Sequence, residues 1–89
     1  MDHASRLRTC LETLERYIRS GDTNSIPLAE KTVDEFASRE RDVAQRIEAL
    51  RDLLEDAENI AASGDAQLGI ADTILEYIDK RLREFQPDD

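Results

Sequence analysis

Residues 27–62 read PLAEKTVDEFASRERDVAQRIEALRDLLEDAENIAA, and the fold turns on how this stretch is read. It contains no glycine, and its only proline comes first, where a fixed φ and a missing N–H suit a helix start. Val33, Phe36, Glu40, Val43, Ile47, Leu50, Leu54, Ala57 and Ala61 follow one another at alternating spacings of three and four. That is a heptad seam, apolar everywhere but Glu40, and it predicts helix throughout. Unbroken, the helix would be on the order of 50 Å long at ~1.5 Å per residue. Its weak point is Ser38-Arg39-Glu40-Arg41-Asp42, a polar run that puts a carboxylate in the seam. With no glycine or proline to force a turn, one long helix is the favoured reading; a turn near Ser38–Glu40 would give four helices of similar length.

Shorter helices flank this stretch. Over residues 4–20, Leu7, Leu11, Leu14 and Ile18 form an apolar stripe widened by Cys10 and Tyr17. Ser20-Gly21-Asp22 ends that helix, with glycine supplying the left-handed residue a helix C-terminus commonly takes, and Thr23-Asn24-Ser25 offers caps for the next. Ser63-Gly64-Asp65 repeats the stop, and residues 66–85 carry Ile70, Ala71, Ile74, Leu75, Ile78, Leu82 and Phe85 along one side. Residues 86–89 form a polar tail. Acid-before-base pairs one helical turn apart recur at Glu12–Arg16, Glu15–Arg19, Glu35–Arg39, Asp42–Arg46, Glu76–Lys80 and Asp79–Arg83. The expectation is one all-α domain over 1–89: an antiparallel bundle of three helices with a long central one, or of four if that helix breaks. The outer helices span only about 25–30 Å each. Part of the long seam then lacks cover within the chain, and a homodimer through Glu40, Val43, Ile47 and Leu50 would supply it.

Charge narrows the function classes. Acids outnumber bases 21 to 12, a net charge of −9 that repels phosphate backbones and anionic membrane surfaces but admits a basic protein. No apolar run approaches the ~18 residues of a membrane span, and the first residues have no signal-peptide core, so the cytoplasm is the expected setting. Cys10 is the sole cysteine, which rules out an internal disulfide or a cysteine-based metal cluster and reads as a small buried hydrophobe. His3 is the only histidine and falls at a terminus expected to fray, so no Ser–His, Cys–His or Glu-x-x-His arrangement assembles. Glycines 21, 64 and 69 are isolated and make no phosphate loop. Neither an enzyme nor a cofactor is expected.

One cluster departs from the pattern. Glu48, Asp52 and Asp56 follow at intervals of four, with Glu55 and Glu58 beside them and Arg51 the only local counter-charge. Like charges at that spacing each cost a few tenths of a kcal/mol, and acids in the C-terminal half of a helix oppose its dipole. Three accounts compete: a solvated face, a docking surface for a basic partner, and a carboxylate site for a hard cation that lacks an organising loop. Residues 1–20 hold four arginines against three acids, whereas 21–62 hold eleven acids against five bases. In size and charge the chain is similar to small acidic helical proteins that neutralise bacterial toxins and to some nucleic-acid mimics; the likeness is compositional and carries no residue across. A binding or inhibitory module for a basic protein is the first expectation, and a self-associating helical scaffold the second.

Overall fold

The computed structural model describes residues 2–62 and 68–85. Among them there are four α-helices and no strand: α1 His3–Ser20, α2 Ile26–Ser38, α3 Val43–Ala61 and α4 Leu68–Phe85. The second Ser-Gly-Asp stop and the polar tail lie outside the described residues. Asp2 caps α1, its side chain accepting the Ser5 amide at 2.8 Å, so the helix begins at His3. Gly21 ends it with φ 72°, a conformation that costs glycine nothing. A 3₁₀ turn over Thr23–Ser25 follows, in which Asp22 accepts the Asn24 amide at 2.9 Å and its carbonyl takes the buried Ser25 hydroxyl at 2.6 Å.

The stretch 27–62 is two helices, which corrects the single long helix favoured from the seam. After Ser38 the chain leaves helix, and Asp42 takes an extended conformation (φ −82°, ψ 130°) with its carboxylate accepting the Ala44 amide at 3.1 Å. Asp42 therefore caps the start of α3 rather than pairing with Arg46, whose Nε donates to the Glu40 carbonyl. A break at this elbow needs no glycine or proline when a capping side chain stands just beyond it. The dimensions agree: the molecule's longest extent is 34 Å, too short for an unbroken helix of about 50 Å.

Contacts give the directions. Arg6 near the start of α1 reaches Glu40 just past the end of α2, so those helices run antiparallel. Arg46 near the start of α3 lies over the Phe85 ring at the end of α4, so that pair does too. α3 packs most extensively on α4, and α1 on α2 and α3. The shared core contains Leu14 and Ile18 from α1, Val33 and Phe36 from α2, Leu50 and Leu53 from α3, and Ile74 and Ile78 from α4. Alanines 29, 37, 49, 57 and 71 are buried among them and let the helices approach. Cys10 is buried too, and burial alone pushes its thiol up to about 12, as expected for a small core residue. Leu54, counted in the seam, is only half-buried; Leu53, outside that count, is fully buried. Leu50 and Ala57 of the seam are buried, while at the turn between them the core takes Leu53 in place of Leu54.

Candidate functional site

The acids singled out in the sequence lie on α3. Glu48, Asp52, Glu55 and Glu58 are exposed and Asp56 is half-buried, on the side opposite Ala49, Leu50, Leu53 and Ala57. Among the described residues, Asp52 alone of the five has a basic side chain at ion-pair distance: its Oδ2 lies 3.5 Å from His3 Nε2. Arg51 is exposed and makes no ion pair among the described residues. Among the described residues no other ion pair offsets the repulsion between successive acids, and the last three stand in the closing turns of the helix, where backbone carbonyls add negative potential.

Next to this face is the elbow. Glu40 keeps 14% of its side chain exposed; its Oε1 accepts from Arg6 Nη2 at 3.1 Å and lies 3.6 Å from His3 Nδ1. The imidazole thus sits between the carboxylates of Glu40 and Asp52, with its ring 6.1 Å from that of Phe36. Together with Gln45 and Glu48 these side chains line an open depression of about 390 Å³. Neither His3 nor Arg6 stands out as a site residue in the sequence. The available signal was Asp2, whose capping geometry holds the first turn of α1 in place and so brings His3 onto the folded body.

The four residues expected to form a dimer seam part company. Leu50 is fully buried within its own chain, and Ile47 packs against the same core. Glu40 is engaged by Arg6 and His3 of its own chain. Only Val43 faces outward, 50% exposed at the start of α3.

A second polar cluster ties α2 to α4. Tyr77 Oη donates to the Asp34 carboxylate, whose oxygens lie 2.9 and 2.8 Å away, and Arg81 Nε donates to Asp34 Oδ1 at 3.0 Å while its guanidinium stacks over the Tyr77 ring. Partial burial and the Asp34 carboxylate hold the Tyr77 phenol above its ordinary value. Arg81 is held protonated most of all by Glu84, which accepts from Nη1 at 2.8 Å, and then by Tyr77. These groups close on one another across the two helices, so the cluster acts as a buckle. Among the described residues no group of three His, Cys, Asp or Glu side chains is placed to hold a metal ion, and no helix is long and apolar enough to cross a membrane. Compared with known proteins, the chain matches no family model, no curated protein and no solved structure.

Proposed function

We propose that this chain is a small acidic interaction module that binds, and by binding inhibits, a basic protein, through Glu48, Asp52, Glu55, Asp56 and Glu58. It works in the cytoplasm, without catalysis, cofactor or direct contact with nucleic acid. One observation carries the reading: the acids are displayed along α3 where they repel one another, Glu55, Asp56 and Glu58 also stand toward the negative end of the helix dipole, and four of the five have no ion pair among the described residues. Local stability does not account for them; attraction to a basic surface does. Such attraction speeds encounter and weakens with salt, because exposed charges are screened beyond about 8 Å at physiological ionic strength. The test is capture from a native lysate by wild type and by a Glu48→Gln/Glu55→Gln/Glu58→Gln variant, followed by titration of the purified partner at several salt concentrations. The variant should associate at least several-fold more slowly with a flatter salt dependence. Equal association by both proteins would return the cluster to a solvated face.

A self-associating scaffold is the second reading, and half-exposed Val43 at the head of α3 is the observation that favours it. Light scattering that reads a single chain at high micromolar concentration would end it.

A further inference from the structure

We propose that the groove between α1 and α2 binds a small zwitterionic carboxylate with an apolar body, the chemistry of a free apolar amino acid. The groove is open to solvent on one side and holds about 350 Å³, within the roughly 300–1,000 Å³ of small-molecule sites. It exists because short side chains, Thr9, Cys10 and Thr13 on α1 and Thr32 on α2, face each other where larger ones would fill the seam. Its floor is apolar: Cys10 and Phe36 line it and are each only 6% exposed. Its walls offer no hydroxyl proton, because Thr9, Thr13 and Thr32 donate theirs to the Ser5, Thr9 and Leu28 carbonyls at 3.0, 3.0 and 2.9 Å.

Donors come instead from guanidiniums at the elbow end. Arg39 is exposed and makes no ion pair among the described residues, and Arg6 lines the same groove, braced by Glu40 at 3.1 Å. A carboxylate placed against Arg39 receives charge-assisted hydrogen bonds. Glu35, the one carboxylate in the lining, is the acceptor for an ammonium group, and Phe36 supports the apolar body. Overall charge separates a zwitterion from a plain anion. At a net −9 the molecule repels an anion, whereas a neutral zwitterion meets no such field.

The site is separate from the α3 acids, so its test is independent of theirs. Uniformly ¹⁵N-labelled full chain is titrated with L-leucine, with L-leucinamide, which lacks the carboxylate, and with 4-methylpentanoate, which lacks the ammonium. L-Leucine should produce saturable amide shifts confined to residues 6–13 and 32–39, and each analogue should bind about tenfold more weakly or worse. Arg39→Gln should weaken L-leucine by about tenfold while leaving amide positions elsewhere unchanged. Absence of saturable shifts up to about 20 mM L-leucine would overturn the proposal, as would equal binding of either analogue by the wild type. Unaltered L-leucine affinity in a folded Arg39→Gln protein would overturn it as well.

Discussion

Glu40 and its two neighbours from α1 show how one side chain decides local geometry. In a continuous seam a buried glutamate is a defect; at an elbow it is a fastener, its oxygen bound to Arg6 and its backbone carbonyl to Arg46. Removing the charge while keeping the shape, as in Glu40→Gln, should cost about 1.5–3 kcal/mol, the usual worth of a hydrogen bond to a charged group. Chemical denaturation checks the figure, and no loss of stability would mean the elbow is held by backbone capping alone. Leu53 and Leu54 give the corresponding test in the core. Leu53→Ala should cost about 2–5 kcal/mol and Leu54→Ala distinctly less, because only the first leaves a cavity in fully packed surroundings. The heptad count points to Leu54, and it misleads there because the buried stripe of α3 runs through Ala49, Leu50, Leu53 and Ala57 and shares only Leu50 and Ala57 with the seam. Four residues before Arg46, Asp42 has the spacing of an acid–base pair, but an acid directly before an apolar helix start also caps, and capping is the role it takes.

At the scale of elements, periodicity and stop signals made helix type and most boundaries legible. Gly21 ends α1 because glycine accepts the left-handed φ, and the stripes of α1 and α4 face the core at Leu14, Ile18, Ile74 and Ile78. What sequence spacing does not carry is contact between distant elements. Asp34 and Tyr77 are 43 positions apart, and nothing near either residue announces the buckle that joins α2 to α4. That buckle has a signature in alkali. Because the folded state holds the Tyr77 phenol above its unfolded value, this contribution to stability is fully present below the ordinary tyrosine range near ~10. It is lost as pH rises through the folded value. Phenolate absorbance of wild type minus Tyr77→Phe should therefore titrate later than free tyrosine. A difference curve centred at the ordinary value would show that the Asp34 contact does not persist in solution.

The whole molecule combines a conventional apolar core with an uneven surface: basic residues gather around the first turns of α1 and the elbow, and acids spread along α3. Composition made the surplus of acids plain, and helical spacing put those of α3 on one face; the juxtaposition of His3, Glu40 and Asp52 required the elbow and the α1 cap together. A surface kept for a partner differs from one kept for the fold in what its removal does to the free protein. Thermal unfolding of Glu48→Gln/Glu55→Gln/Glu58→Gln at low salt measures this directly, since these side chains are exposed and leave the Asp52–His3 contact in place. Relief of repulsion among the acids and with the helix dipole should leave the variant at least as stable as wild type, and by about 0.5–1 kcal/mol more so. A variant that melts below wild type would contradict this, because the acids would then be holding the helix and not awaiting a basic surface.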